Sequence, residues 1–427
     1  MDQAAEAPLA RCPFKFDHES KQHAENWPSE FRQMREECPV AWTEEHGGYW
    51  VATSYKDVVR MAQDGATFSS HKTFDPQTQH VEGGITIPAT PIPRGLPVES
   101  DRPEWDGFRS FINRKFAPRA AEARRADIRT YVTALLDRVI ETGSMDLVND
   151  LTGPAPAITT MALIGFPLSE WREVADPLHE MVYTPKNAPN YAKVIEQVGW
   201  IYKRIAEELA HRRRMSREEL VSRDDLLSYF VAEQIDGRYL TDEEVLCYCN
   251  NILPGGVDTT TALTTHTLVY LHDHPAEKKR LMENPELLPL AREEFVRYVT
   301  PLHALARRAT SDVEVGGQQI HKGDRVLLAW SAANRDPEIF ENPEEIVIDR
   351  YPNRHIAFGA GVHRCIGSFF ARVMFEEMVT QVFARIPDYK IDISEAQRYP
   401  SVGTINGWVN MPATFTPGRK IGTDLRL

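Results

Sequence analysis

The sequence predicts a mainly α protein of the α+β class, with a large helical part and a smaller β-rich part. Helical periodicity dominates residues 102–223, with interruptions at glycine and proline pairs. A second apolar-periodic segment, residues 241–272, is long enough for a helix of roughly 45 Å at 1.5 Å per residue. Strand-like alternation lies early, at residues 40–51 around a Gly-Gly turn, and late, at residues 313–328.

The chain is long enough for several packed units. It has 427 residues, of which 42% are hydrophobic and 26% charged, an ordinary globular composition. A single hydrophobic core stops growing at about 250–300 residues, so we expect several subcores or domains.

The charge balance excludes some partners. Lys and Arg number 49 against 62 Asp and Glu, a net charge of −13, which argues against a nucleic-acid partner. No segment approaches about 18 consecutive apolar residues, and Asp2 and Glu6 lie where a signal peptide needs a basic and then an apolar run. We therefore expect a soluble, cytoplasmic protein without a membrane partner.

The cysteines do not suggest a disulfide framework, because they are few, odd in number and scattered: Cys12, Cys38, Cys247, Cys249 and Cys365. Cys247 and Cys249 stand two apart in a helical pattern and face different directions. They are expected to be small buried hydrophobes. An odd count is consistent with at least one cysteine acting as a ligand or nucleophile.

Two irregular segments are candidates for substrate contact. Residues 71–100 contain five prolines and three glycines, which exclude a long regular element. Long loops in compact proteins are usually functional, and the apolar Ile85 and Ile87 favour a substrate-facing loop over a linker. Residues 184–190 join two helices either as a lid or as a simple turn.

The long helix is interrupted near its middle. Pro254 removes a backbone hydrogen bond, and Gly255 and Gly256 remove side-chain bulk, so we expect a kink with a local opening. Thr241 and Glu244 have the spacing of a capping box at its start.

One cysteine lies in a glycine-rich turn just before a helical run, in the stretch Phe358-Gly359-Ala360-Gly361-Val362-His363-Arg364-Cys365-Ile366-Gly367. The glycines allow a tight turn that brings backbone amides near the sulfur, and the following helix N-terminus favours a thiolate. The stretch resembles the haem-binding loop of the cytochrome P450 family, F-G-x-G-x-H/R-x-C-x-G, at every fixed position.

The resemblance implies that haem b is the cofactor and that Cys365 is the axial thiolate ligand of its iron. Such a ligand pushes electron density onto the metal and favours O–O cleavage. Phe358, Gly359 and Gly361 would then form the loop around the sulfur and tune its basicity. The competing interpretation is a buried structural cysteine.

Three further motifs match the family in the expected order. Glu294 and Arg297 resemble its E-x-x-R helix, with Arg350 as the third, structural member. Asp258 and Thr259 resemble its A/G-G-x-D/E-T pattern, which implies catalytic proton relay to bound O2. The alternative is that Thr259 bonds to a helix carbonyl and Asp258 points to solvent.

The last motif concerns the haem propionates. Trp105 and Arg109, one helical turn apart, resemble the family's W-x-x-x-R helix, and Arg307 and His363 match its other propionate donors. Taken singly, each is typical of an ordinary surface group. Arg102 and Val347 depart from residues common in the family, which affects loop detail more than chemistry.

The resemblance covers nearly the whole chain and implies the cytochrome P450 fold, with haem between the long kinked helix and the cysteine loop. We expect a flexible N-terminal arm over residues 1–25 and a single catalytic domain over residues 26–427. The β-rich portions are expected at about 39–70, 310–350 and 387–420.

The implied activity is that of a haem-thiolate monooxygenase acting on an apolar small molecule: a terpenoid, steroid, fatty or aromatic compound. The sequence has no flavin or nicotinamide fingerprint, so NAD(P)H would act indirectly, through a ferredoxin and its reductase. Arg364 and Arg372, with Arg114, are candidates for ferredoxin docking on a protein expected to be monomeric.

Two alternatives remain open at this point. One is a peroxide-driven haem-thiolate peroxygenase or isomerase, which needs no electron partner. The other is a non-catalytic haem gas sensor, for which no appended output domain is visible. Family placement also implies these substrate contacts: Ile85, Ile87, Gly255, Leu302, Leu305, Trp408 and Val409.

Overall fold

The computed structural model describes residues 11–184 and 188–425. Its helices in the first half are α1 Lys21–Glu37, α2 Tyr55–Gln63, α3 Glu104–Asn113, α4 Pro118–Ala123, α5 Arg125–Val139, α6 Pro154–Ile164, α7 Trp171–Tyr183, α8 Tyr191–Arg212, α9 Arg217–Ser222 and α10 Leu226–Ala232. The later helices are α11 Asp242–Asp273, α12 Pro275–Glu283, α13 Leu288–Val299, α14 Trp330–Ala333 and α15 Ser368–Arg385.

The strands are short. The early ones are β1 Val40–Thr43, β2 Tyr49–Ala52, β3 Phe68–Ser69, β4 Lys72–Asp75, β5 His80–Gly83, β6 Ser144–Asp146, β7 Gln234–Ile235 and β8 Arg238–Tyr239. The late ones are β9 Ala304–Ala309, β10 Val313–Val315, β11 Gln318–Ile320, β12 Arg325–Ala329, β13 Lys390–Ile391, β14 Gln397–Arg398, β15 Trp408–Asn410 and β16 Pro412–Thr414.

The helix α11 is the central element of the helical part. It contacts α6, α7, α8, α13 and α15, and it begins at the predicted capping box. Thr241 accepts a hydrogen bond from the Glu244 amide, and the Glu244 carboxylate accepts one from the Thr241 amide. The long helix predicted over residues 241–272 is confirmed, with bounds Asp242–Asp273. It continues as one helix through Pro254, where the sequence predicts a kink with a local opening.

The main sheet has the strand order β1-β2-β12-β9-β3. β1 and β2 form the predicted antiparallel hairpin, with Trp42 opposite Trp50, while β12 runs parallel to β2. The late contribution to this sheet begins at Ala304 and ends at Ala329, earlier at both ends than the expected portion at 310–350. Near the C-terminus, β16 pairs with both β13 and β6, so a strand from the helical part completes that sheet.

The segment expected to be loose over residues 1–25 is packed where the structure describes it. Phe16 and His18 are buried, and α1 begins at Lys21 with Ser20 as its cap. The His18 ring bonds to the Tyr49 hydroxyl and to the Ile87 carbonyl, both at 2.7 Å. The arm is held because an aromatic side chain and a buried imidazole anchor it; residues 1–10 lie outside the described residues.

The pairing of two cysteines also differs from the expectation. The sulfurs of Cys12 and Cys38 are bonded to each other, with their Cα atoms 6.3 Å apart. Cys247 and Cys249 are buried in α11, as expected, and burial raises their thiol pKa values to about 11 and about 12.

The proline-rich segment 71–100 forms a short β4–β5 hairpin and then lies against α11. The Leu96 amide donates to the Cys247 carbonyl at 3.0 Å, and the Asn251 side chain donates to the Leu96 carbonyl at 3.1 Å. No long regular element forms there, as predicted. The lid or turn over 184–190 includes residues 185–187, which lie outside the described residues, so that choice stays open.

In the described part of the chain, no helix combines the length and apolar character needed to cross a membrane.

Candidate active site

The cysteine loop is a tight turn that depends on its glycines. The Cys365 amide donates to the Phe358 carbonyl at 2.7 Å, which closes the turn. Gly359 and Gly361 have φ values of +73° and +69°, in the left-handed region that favours glycine. A Cβ on Gly361 would also lie 2.3 Å from the carbonyl oxygen of Ala62 in α2, so a side chain there would displace the loop.

The Cys365 side chain is accessible, although many protein atoms lie around its thiol. Burial raises its pKa, while the Gly367 amide and the positive charges of Arg109 and Arg364 act in the opposite direction. A thiolate in such a place requires a strong positive partner, and a coordinated metal ion provides one.

A group of unpaired donors lies near this loop. Trp105 Nε1 and His363 Nδ1 are buried without a hydrogen-bond partner among the described residues, and the two rings lie 5.9 Å apart. Arg307 is 2% exposed, and burial lowers its pKa to about 10. Burial, together with the charges of Arg307 and Arg109, lowers the pKa of His363 to about 3. The cluster of Trp105, His363, Arg307 and Arg109 therefore contains positive charge and donors without a matching carboxylate in the described part of the chain.

These residues fit a haem. A carboxylate pair would satisfy the orphaned Trp105 and His363 donors and neutralise the buried Arg307 with Arg109. The two haem propionates would be such a pair, and Cys365 would supply a thiolate ligand to the iron. The structure thus brings together the residues that the sequence assigned to one cofactor, from α3, β9 and the cysteine loop.

The Glu–Arg–Arg set is present as a buried ion-pair network. The Glu294 carboxylate accepts from Arg297 at 2.7 and 2.8 Å and from Arg350 Nε at 3.0 Å. Arg297 is fully buried and also donates to the carbonyls of Asn334, Pro343 and Glu345. This network fixes α13 against the segment that leads to the cysteine loop.

The two residues of α11 that were considered for proton relay, Asp258 and Thr259, lie in different environments. Thr259 donates to the Gly255 carbonyl at 3.0 Å, which is the helix back-bond considered as the alternative. Asp258, in contrast, does not face solvent: it is 2% exposed, and its Oδ1 lies 2.7 Å from Nδ1 of His179 on α7. Sequence analysis missed His179, because no local pattern links residues 79 positions apart.

The expected substrate contacts fall into two groups. Leu302 and Val409 lie together in an apolar cluster with Ala262, Tyr399 and Ile405, and no protein atom lies within 4 Å of a Cβ placed on Gly255. The others lie elsewhere in the described residues: Ile87 packs with the N-terminal arm, Leu305 with the main sheet and Trp408 in the helical core, while the Ile85 carbonyl accepts from β9.

A charged groove of about 480 Å³ opens beside the cysteine loop, lined among others by Arg125, Arg292, Glu293, Arg364, Arg372 and Glu376. Arg372 forms two hydrogen bonds with Glu293, at 2.8 and 2.6 Å, and Arg125 and Arg292 also pair with glutamates. Arg364 is exposed and forms no ion pair in the described part of the chain. Arg114 is not a lining residue; its guanidinium lies over the Tyr229 ring.

Fold and site together fit a haem-binding protein, since an accessible cysteine in a tight loop, unpaired donors beside buried arginines and a long helix with a buried carboxylate occur in one architecture. The cytochrome P450 family model matches residues 48–387. The chain therefore belongs to the cytochrome P450 family, whose members are haem-dependent monooxygenases.

Named relatives agree with this assignment. A steroid C26-monooxygenase of Mycolicibacterium smegmatis is 28% identical over 426 residues, covering 97% of this chain and 96% of the relative. Linalool 8-monooxygenase of Pseudomonas putida is 27% identical over 399 residues, covering 91% and 95%. The crystal structure of a Mycobacterium marinum cytochrome P450 in complex with pseudoionone has a TM-score of 0.83 and 25% identity, covering 95% of this chain and all of that one.

Proposed function

We propose that this protein inserts one oxygen atom of O2 into an apolar small molecule, with electrons supplied by a ferredoxin. One observation supports the proposal most directly. Cys365 lies in the same region as the unpaired donors Trp105 and His363 and the buried cation Arg307. When bound there, haem supplies the chemistry of O2 activation.

The chain's own residues have separable tasks. Trp105, Arg109, Arg307 and His363 bind and orient the cofactor through its carboxylates. Cys365 would ligate the haem iron. Asp258 is the buried carboxylate that can pass a proton along α11, and Thr259 is the neighbouring hydroxyl; the relay requires that each leave the partner it has in this structure.

The proposed substrate is a terpenoid or a steroid. Leu302, Val409 and Ala262 provide an apolar wall next to Asp258, with aromatic rings from Tyr183 and Tyr399. An apolar wall with few polar groups fits a hydrocarbon skeleton carrying one or two oxygens. The relatives named for linalool and for steroids support this choice.

The proposed ferredoxin docks at the groove beside the cysteine loop. Most arginines of the groove are neutralised by glutamates, whereas Arg364 is exposed and free of ion pairs among the described residues. An acidic partner would therefore make its main electrostatic contact with Arg364. Arg372, paired with Glu293, contributes less free charge than the sequence alone suggested.

The test of the function has two stages. The reduced protein with carbon monoxide should show the far red-shifted Soret band of thiolate ligation, and Cys365→His should abolish that band. The ferric protein is then titrated with terpenes, steroids, fatty acids and small aromatics, and a saturable low-spin to high-spin shift should identify the substrate class. A histidine-type carbon monoxide spectrum in the unaltered protein would overturn the proposal.

Turnover of the identified substrate distinguishes the O2-dependent reaction from the peroxide-driven alternative. Thr259→Ala should reduce the product formed per electron consumed if O2 activation needs the relay. If peroxide-supported turnover of the unaltered protein exceeds turnover with ferredoxin and its reductase, the peroxygenase alternative is favoured instead.

A further inference from the structure

A buried hydrogen-bonded cluster joins α7 to α11. His179, near the C-terminal end of α7, places Nδ1 2.7 Å from Oδ1 of Asp258, and the Tyr399 hydroxyl lies 3.0 Å from the same nitrogen. Asp258 and Tyr399 are 2% and 3% exposed. The three residues come from α7, α11 and the segment just after β14, so the cluster ties three separate elements together.

This bond competes with proton delivery by Asp258. In the described part of the chain, His179 is the hydrogen-bond partner of the Asp258 side chain, and the Thr259 hydroxyl is occupied by the Gly255 carbonyl. A charge-assisted bond to an imidazolium stabilises the ionised carboxylate. An Asp258 held in this way is a poor proton donor until the bond opens.

Several groups face the His179 ring. The carboxylates are Asp258 on α11 and Asp176 on α7, and the nearest hydroxyls are those of Tyr399 and Tyr183. Burial lowers the pKa of His179, but the carboxylates, with Asp258 first, more than offset this, so the pKa lies above its ordinary value of about 6.5. The backbone of Val409 also raises the pKa, but less than Asp258 does. Asp258 is therefore the largest influence that favours the charged imidazole.

We propose that His179 is a positioning residue for proton delivery: it holds the Asp258 carboxylate against α7, and Asp258 becomes available to the relay when this bond opens. The inference rests on the proposed function in assigning proton delivery to Asp258. It adds that movement of α7 and the protonation of His179 control that step. The bond is strongest while the imidazole is charged and weakens as the pH rises through the His179 pKa.

The first experiment measures the bond without turnover. The imidazole signals of haem-loaded protein in its diamagnetic ferrous carbon monoxide complex are followed by NMR against pH, and His179→Gln identifies the His179 signal. We expect His179 to titrate above about 6.5, and to titrate below that value in Asp258→Asn, where burial remains and the carboxylate is lost. An identical His179 pKa in both proteins would overturn the proposal.

The second experiment measures the attachment of α7. Amide hydrogen exchange of residues 171–183, corrected for the intrinsic pH dependence of exchange, should increase several-fold in His179→Gln and in Tyr399→Phe. Tyr183→Phe is the matched control, because the Tyr183 ring lies 5.3 Å from His179 without a hydrogen bond to it. Equal protection in all four proteins would contradict a role for the cluster in holding α7.

The third experiment uses the pH profile of turnover with the identified substrate. The profile should show an inflection at the His179 pKa found by NMR, and His179→Arg, a permanent cation, should lack it while retaining the fold. An inflection that persists in His179→Arg would overturn the inference. A histidine-type carbon monoxide spectrum would instead overturn the proposed function, and the NMR titration would still decide whether His179 holds Asp258.

Discussion

At the scale of single residues, the site is defined by polar atoms that lack partners. Trp105 Nε1 and His363 Nδ1 are buried beside the cationic Arg307 and Arg109, and an unsatisfied buried donor costs on the order of 1–3 kcal/mol. Such a cost is retained in a folded protein when a ligand relieves it. The two carboxylates of a bound haem would relieve all four groups at once.

Trp105→Phe should weaken haem retention, because it removes one donor to a charged carboxylate and leaves the packing nearly unchanged. A hydrogen bond to a charged group contributes roughly 1.5–3 kcal/mol, so the haem dissociation rate should rise by about tenfold or more. The measurement is transfer of haem to an excess of a haem-binding acceptor protein.

Trp408→Phe is the matched control for this prediction. Trp408 Nε1 is also buried without a partner among the described residues. The Trp408 ring, however, lies under the Arg398 guanidinium, whereas the Trp105 ring lies beside His363. Equal haem loss from the two variants would mean that the Trp105 donor does not hold the cofactor.

At the scale of elements, close helix packing depends on one of the two glycines in α11. A Cβ on Gly256 would lie 2.4 Å from Thr160 Oγ1 of α6, whereas a Cβ on Gly255 would meet nothing within 4 Å. The two adjacent glycines therefore do different things: Gly256 lets α6 and α11 approach, and Gly255 leaves space open beside the helix.

Gly256→Ala should destabilise the folded protein by roughly 1–3 kcal/mol, the usual cost of overpacking. Gly255→Ala should be neutral or stabilising by up to about 1 kcal/mol, because alanine is the better helix former and no protein atom lies within 4 Å of the added Cβ. Urea denaturation of the haem-loaded proteins measures both. A lower midpoint for Gly255→Ala than for Gly256→Ala would contradict this account of the helix contact.

The N-terminal arm is attached to β2 and to the proline-rich segment through a neutral histidine. Burial lowers the pKa of His18 to about 4, while the unfolded chain titrates near 6.5. Between these pH values the unfolded state binds a proton that the folded state excludes, so stability falls as the pH drops from about 6.5 to about 4. The loss is on the order of 3 kcal/mol at most.

His18→Gln should remove part of this pH dependence, seen as a smaller difference between the urea midpoints at pH values on either side of 6. His321→Gln, which alters an exposed histidine, is the control and should behave like the unaltered protein. If His18→Gln retains the full acid sensitivity, another group is responsible for it.

At the scale of the whole molecule, charge is distributed unevenly over an acidic protein. The net charge is −13, yet the groove beside the cysteine loop contains Arg125, Arg292, Arg364 and Arg372. Internal pairing with glutamates leaves Arg364 as the exposed positive charge of this group in the described chain. Long-range attraction of an acidic partner would therefore concentrate at one residue.

Arg364→Glu should slow reduction by ferredoxin, and the effect should be larger at low ionic strength than at high ionic strength. Lys193→Glu, an equal charge change at an exposed position of α8, is the control and should change the rate little. Stopped-flow reduction across a salt series measures both. The same salt dependence in Arg364→Glu as in the unaltered protein would remove Arg364 from the docking surface.

The sequence by itself determined the features that depend on residues close together along the chain. The capping box that starts α11, the glycines around Cys365 and the β1–β2 hairpin follow from short-range stereochemistry, so they can be predicted locally. Likewise, the motif at residues 358–367 was enough to predict haem and Cys365 as its ligand, and the pair Trp105 and Arg109, one helical turn apart, was enough to predict propionate donors.

Only the tertiary structure decided which distant groups meet. Three pairs of residues that share no sequence pattern are joined in the fold: His179 with Asp258, Arg372 with Glu293, and Cys12 with Cys38 through their sulfurs. The burial of His18 is likewise not visible in the sequence around it. The physical reason is that hydrogen bonds and charge compensation act over a few ångströms in space, whatever the separation along the chain. The packing of α7 on α11 therefore determines the state of the Asp258 carboxylate, which the local sequence around it does not specify.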